Sequence, residues 1–162
     1  MNFAEFTKGL NERDLNEISS GFKANVTSVN VHGPSSFYRF IGLNGHDKPN
    51  EIYGHWWFSE QTFNDFDTRA KRLDVPFSKY AKARLALPDA WNSKLHIYKL
   101  VLPEGITIPA LKGKGRGQKE SYKDEHNKHQ FHANVSLIGG DDQYYFKVPD
   151  IQKFPVSQIV KH

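Results

Sequence analysis

The sequence contains no cysteine, which excludes several kinds of chemistry at once. A disulfide framework, a zinc site built on thiolates and a cysteine nucleophile are all impossible, so the fold must rest on packing. The motifs of P-loop NTPases and of α/β-hydrolase serine enzymes are also missing. No stretch approaches the roughly 20 apolar residues of a membrane helix, and the first residues do not resemble a signal peptide. We therefore expect no membrane as a partner.

Aromatic residues, in contrast, are abundant. The chain has 162 residues, of which 38% are hydrophobic and 14% are aromatic. This length favours a single domain spanning residues 1–162, with a core built largely from rings. The net charge of +4 is compatible with nucleic acid, an acidic membrane face or an acidic protein, and it is too small to choose among them.

Hydrophobic periodicity predicts a mixed α and β fold of the α+β class. Helices are expected in the N-terminal segment 1–23 and over 60–72 and 78–87. Strands are expected around 26–31 and over 37–41, 52–59, 94–102, 106–108, 143–148 and 156–160. The segment 110–138 is glycine-rich, basic and then densely charged, so we expect an inserted basic loop there.

Arg39 lies in the middle of an aromatic strand, on the same side as Phe37 and Ile41. A guanidinium on an apolar side must find acceptors, because an unpaired buried charge is very costly. Two interpretations stay open. Arg39 forms a structural salt bridge with an acidic residue, or it binds a phosphate group.

Two adjacent tryptophans, Trp56 and Trp57, point to opposite sides of the next strand. One ring can form the wall of a pocket that stacks a nicotinamide or adenine, or both can be ordinary core residues. Ser59, at the end of this strand, either hydrogen-bonds a ligand or caps the following helix.

Gln143 follows two glycines and two aspartates at the start of a late strand. Glycines entering a strand let the backbone approach a ligand, and a neutral amide can both donate to and accept from ribose hydroxyls. A hairpin turn with no function explains the same residues.

Three histidines, His126, His129 and His132, recur at intervals of three beside Asp124 and Glu125. On a helix they would share part of one face, as in a metal site or the acid–base pair of a ribonuclease. Their spacing matches no zinc motif, so we predict no metal site.

Five short pieces, taken in order, resemble the tuberculosis necrotizing toxin family of secreted NAD⁺ glycohydrolases. They are Arg39-Phe40-x-Gly42, Gly54-x-x-Trp57-Phe58-Ser59, Ala83-Arg84-Leu85-Ala86-Leu87-Pro88, Tyr98-Lys99-Leu100-Val101-x-Pro103-x-Gly105-Ile106-x-Ile108-Pro109 and Gly139-Gly140-x-x-Gln143-Tyr144.

The resemblance implies an ADP-ribosyltransferase-like split sheet, antiparallel and central, with NAD⁺ as substrate and no cofactor. Gln143 and Arg39 match the catalytic residues of the family. The substrate-binding residues would be Tyr38, Phe40, Trp57, Ser59 and Arg84, with Trp57 where the family usually has tyrosine. It further implies a secreted or injected effector that acts in the target-cell cytoplasm and is inhibited by a cognate immunity protein.

Three alternatives stay open. A mono-ADP-ribosyltransferase would use the same fold and ligand, although Asp141 and Gln143 stand where transferases usually carry an activating glutamate. A metal-independent ribonuclease would use the basic charge and the histidines, and only these two alternatives make nucleic acid a partner. A noncatalytic binding module would use the aromatic pocket alone.

Overall fold

The computed structural model describes residues 1–23, 25–42, 52–85, 95–116, 118–123, 129–137 and 141–159. Within these ranges the helices are α1 (Phe3–Thr7), α2 (Glu12–Gly21), α3 (Glu60–Leu73), α4 (Phe77–Leu85) and α5 (Val148–Ile151). The strands are β1 (Thr27–His32), β2 (Ser35–Gly42), β3 (Trp56–Ser59), β4 (Leu95–Leu102), β5 (Thr107–Lys114), β6 (Gln118–Lys123), β7 (His129–Leu137), β8 (Asp142–Phe146) and β9 (Val156–Ile159). No described helix has the length and apolar character needed to cross a membrane.

Seven strands form one sheet in the order β1-β5-β8-β3-β2-β4-β9, and every described pairing in it is antiparallel. The predicted α+β class is therefore confirmed, as are the N-terminal helices of segment 1–23. β3 is the short strand at the centre. Its first half, Trp56 and Trp57, pairs with β8, and its second half, Phe58 and Ser59, pairs with β2.

Rings fill the core on both faces of this sheet. Helices α1 to α4 cover one face, called here the helix face, where Phe6, Ile18 and Phe22 pack on Leu111 and Tyr145. A second cluster on that face packs α3 and α4 against β2, β3 and β4; it comprises Tyr38, Phe58, Phe63, Phe66, Phe77, Ala81 and Ile97. The other face, called the α5 face, is covered by Ile151 and Phe154, which pack with Phe37, Trp57, Leu100 and Phe146 among others.

The prediction of a loop over 110–138 was wrong for most of the described residues. β5 extends to Lys114, and β6 and β7 pair with each other as a separate antiparallel two-stranded sheet. Glycine and charge predicted a loop here, but Gly113 is needed in the strand because it lies under the Phe22 ring. A β-carbon at this position would come within 2.8 Å of a ring carbon. His129 and His132 therefore lie in a strand and not in a helix, while His126 lies outside the described residues.

Two further boundaries differ from the prediction. The strand expected over 52–59 begins only at Trp56, because a turn precedes it. The side chains of that turn bond to other segments: the Tyr53 hydroxyl donates to the Phe154 carbonyl, and His55 Nδ1 lies 2.8 Å from the Phe146 carbonyl. The strand expected over 143–148 ends at Phe146, since the short helix α5 begins at Val148 with Pro149 in its first turn.

Candidate functional site

Gln143 is buried near the start of β8, opposite Gly113 of β5. Its side chain is 9% exposed, and it is the one polar residue in the buried class among residues whose burial the structure describes. Its amide lies directly over Gly115, where a β-carbon would stand 2.4 Å from Gln143 Nε2. Glycine at position 115 therefore provides the space that the amide occupies.

Asp141 lies two positions before Gln143 and pairs with two arginines from the helices above it. Arg84 of α4 binds one carboxylate oxygen through Nε, and Nη1 of Arg69, in α3, lies 4.0 Å from the other. The pKa of Arg69 is raised, first by its hydrogen bond with Tyr80 and to a smaller extent by Asp141. Two guanidinium groups thus share one carboxylate and leave an excess of positive charge. We call these residues, with Gln143, the Gln143 cluster.

Arg39 does not join this cluster. It lies two positions from Phe37, whose ring is in the core of the α5 face, whereas Gln143 lies two positions from Tyr145, in the core of the helix face. Because side chains alternate along a strand, the two predicted catalytic residues lie on opposite faces of the sheet.

Arg39 instead contacts the turn before β3. Its Nη1 donates to the Trp56 carbonyl over 3.2 Å, and its guanidinium packs against Gly54. A β-carbon at position 54 would lie 2.0 Å from Arg39 Cζ. The guanidinium therefore fills the gap where β2 and the segment 54–56 separate.

Two of the predicted substrate-binding rings, Trp57 and Tyr38, are in the core. Trp57 is 1% exposed, and its indole N–H donates to the Gly54 carbonyl over 2.7 Å. Tyr38 stacks on Phe63 at a centroid distance of 4.2 Å and donates its hydroxyl to Glu60. Burial, and then the Glu60 carboxylate, raise the pKa of Tyr38 to about 12. Neither ring offers a free face to a ligand.

Ser59 caps α3: its hydroxyl accepts from the Thr62 backbone N–H over 3.2 Å. This is the capping interpretation of the two that the sequence left open. The side chain of Phe40, the remaining predicted substrate-binding residue, lies outside the described residues, as do Gly139 and Gly140.

An apolar groove of about 490 Å³ lies between the N-terminal helices and the segment that follows them, and no predicted site residue lines it. Its lining residues are Phe3, Leu15, Ile18, Ser19, Phe22, Lys23, Val26 and Arg116.

Sequence reasoning missed Arg69 and Gly115. Arg69 is an ordinary charged position on a helix, 49% exposed, and carries no signal of its own. Gly115 belongs to the stretch that was interpreted as a flexible loop.

No protein-family model, curated protein or solved structure matches the chain. The candidate site is therefore defined by contacts, burial and charge.

Proposed function

We propose that this chain is an NAD⁺ glycohydrolase whose catalytic centre is the Gln143 cluster. The observation that carries the proposal is a buried neutral amide two residues after the Asp141 carboxylate, which two arginines share. An amide can hold ribose hydroxyls by donating and accepting hydrogen bonds, and guanidinium groups suit the pyrophosphate. A dinucleotide presents both groups in one molecule.

In this proposal Gln143 orients the hydroxyls of the nicotinamide ribose and stabilises the charge that develops on the sugar. The glycosidic C–N bond breaks, and its electron pair leaves with nicotinamide through an oxocarbenium-like state. A water oxygen then bonds to the ribose carbon and releases its proton to solvent. Arg84 and Arg69 hold the pyrophosphate, so that NAD⁺ is substrate and no cofactor is consumed.

The pairing of β3 supports a split sheet of the ADP-ribosyltransferase type. β8 pairs with β3 only through Tyr145 and Tyr144, and the next β8 residue is Gln143. Beyond that point β3 pairs with β2 through Phe58 and Ser59. Gln143 thus lies where the two halves of the sheet diverge, which is where a ligand cleft is expected in such a fold.

The proposal changes the role of Arg39. Because it contacts Gly54 and the Trp56 carbonyl on the α5 face, we assign it to positioning the turn before β3 and not to binding substrate. Secretion or injection as an effector, and inhibition by an immunity protein, remain part of the proposed function.

The test is NAD⁺ turnover by the purified chain, followed with a fluorogenic analogue and by chromatography of the products. Gln143→Ala should lower kcat/KM by about 100-fold or more, as for loss of one preorganised hydrogen-bond donor. Arg84→Ala should mainly raise KM, and Arg84→Lys should recover it in part. The matched controls are Gln152→Ala and Arg72→Ala, which remove exposed residues of the same types and should stay within about twofold of the parent.

Circular dichroism must show that each variant is folded. Free ADP-ribose and nicotinamide as products support hydrolysis, whereas ADP-ribose label on an acceptor from cell lysate would replace it with the transferase alternative. If the parent chain consumes no NAD⁺ with or without lysate, or if folded Gln143→Ala is fully active, the proposal is wrong. Cleavage of RNA by such an inactive chain would point to the ribonuclease.

A further inference from the structure

Three potential metal ligands converge on the helix face, and one of them, His55, stacks on Tyr145. Asp14 and Glu17 lie one turn apart on α2, and His55 lies in the turn before β3. One ligand atom from each residue lies within 4.8 Å of the other two, and His55 Nε2 is 3.9 Å from Asp14 Oδ1. All three side chains are partly buried.

The orientation of His55 is fixed by a carbonyl. Its Nδ1 lies 2.8 Å from the Phe146 carbonyl oxygen, which can only accept, so Nδ1 carries the proton. The Phe146 backbone N–H in turn donates to the His55 carbonyl, and the imidazole stacks on Tyr145 with ring centroids 4.6 Å apart. A neutral ring in this orientation presents the Nε2 lone pair to the Asp14 carboxylate. A proton on Nε2 or a metal ion between the two groups makes this contact favourable.

Glu17 is held in a similar way. The Trp56 indole N–H donates to Glu17 Oε1 over 2.6 Å, which fixes the carboxylate and leaves its second oxygen available. Metal-ligating histidines and carboxylates usually carry outer hydrogen bonds of this kind, which orient the first ligands.

Tyr145 supplies an independent observation. Its ring is 0% exposed, and its hydroxyl has no hydrogen-bond partner within the part of the chain that the structure describes. Its ring stacks on the His55 imidazole and lies edge-on to Trp56, whose indole N–H binds Glu17, so the phenol lies beside the proposed ligands. A buried hydroxyl without a partner is costly, and a bound ion with its water would provide one.

We propose that Asp14, Glu17 and His55 bind a divalent transition-metal ion, with Zn²⁺ as the preferred ion. One imidazole nitrogen and two carboxylate oxygens suit zinc better than calcium or magnesium, which take oxygen ligands. The two carboxylates also balance the charge of a divalent ion. Ligands about 2.0–2.2 Å from a tetrahedral zinc lie roughly 3.3 Å apart, so ligand atoms now up to 4.8 Å apart need to close by at most about 1.5 Å. A water in the fourth position can accept from Tyr145.

The ion would join α2 to the turn before β3, and this role does not depend on NAD⁺ chemistry.

The test is calorimetric titration of the untagged chain with ZnCl₂ after treatment with EDTA. We expect one site, and a melting temperature that rises by roughly 5–10 °C at a hundredfold excess of zinc over its Kd. Asp14→Asn, Glu17→Gln and His55→Gln should each weaken binding at least tenfold, and Tyr145→Phe by a smaller factor, with the fold intact.

The controls distinguish this site from other zinc-binding side chains. Glu12→Gln removes an exposed carboxylate from the same helix, and His32→Gln removes an exposed histidine, so both should leave the affinity unchanged. The proposal is overturned if zinc does not bind stoichiometrically. It is overturned equally if binding survives His55→Gln and is lost on replacement of His129 and His132, or if Ca²⁺ binds more tightly than Zn²⁺.

Discussion

Replacing Gly54 with alanine should displace Arg39. The new β-carbon would lie 2.0 Å from Arg39 Cζ and 2.1–2.2 Å from its two terminal nitrogens, far inside contact distance. The guanidinium must move, which breaks its hydrogen bond to the Trp56 carbonyl. Losing a hydrogen bond to a charged group costs about 1.5–3 kcal/mol, and a strained rotamer adds about 1 kcal/mol. We therefore expect the free energy of unfolding to fall by about 3 kcal/mol, and the melting temperature by about 6–12 °C.

A double-mutant cycle measured by urea unfolding tests this explanation. In the Arg39→Ala background there is no guanidinium for the β-carbon to displace, so Gly54→Ala should then cost less than about 1 kcal/mol. The coupling between the two positions should be about 2 kcal/mol. If the two substitutions are additive, Arg39 does not fill this space in solution, and its assignment as a positioning residue fails. NAD⁺ turnover measured on folded Arg39→Lys separates that role from substrate binding.

Two further predictions concern residues that the structure removes from the candidate site. Ser59→Ala should lower the free energy of unfolding by about 1 kcal/mol through loss of the α3 cap. Ser59→Asp, which can also cap, should keep the parent's melting temperature. A destabilised Ser59→Asp would contradict the capping role. Burial raises the pKa of Tyr38 from its ordinary value of 10.0 to about 12, so its contribution to stability is complete below pH 10 and is lost as the pH rises towards 12. Between about pH 9 and pH 11.5, the urea midpoint of unfolding should therefore fall less in Tyr38→Phe than in the parent. Equal decreases in the two proteins would show that Tyr38 is not buried as described.

Elements with regular apolar spacing were predicted well from the sequence. α3 is a clear example, because Phe63 and Phe66 occur at helical spacing after the cap Ser59, and the helix spans Glu60–Leu73. β4 is another: its β-branched, aromatic and leucine side chains, interrupted by His96 and Lys99, predicted a strand that the structure has at Leu95–Leu102.

The prediction failed where local composition and tertiary contact disagree. Gly113 and Gly115 predict a flexible chain, since glycine has no side chain to restrict the backbone. In the fold each glycine lies under a side chain from elsewhere, Phe22 and Gln143 respectively, so both positions are fixed in β5 or directly after it. A contact between residues so distant in sequence leaves no local periodic signal.

The sequence by itself determined which parts of the chain have to be buried. Its rings and their spacing specify the amphipathic helices and most of the strands, because burying apolar surface is the dominant favourable term in folding. It also indicated Gln143 and Arg84, although it could not show that Asp141 and Arg69 would accompany them.

Only the tertiary structure decided which polar residues meet. The register of β3 with β2 and β8 places Arg39 and Gln143 on opposite faces, and it brings His55 to Asp14 and Glu17 of α2. Strand register is set by pairing between distant segments, and a shift of one residue would exchange the two faces. The composition of a site therefore depends on pairings that the order of residues along the chain does not reveal.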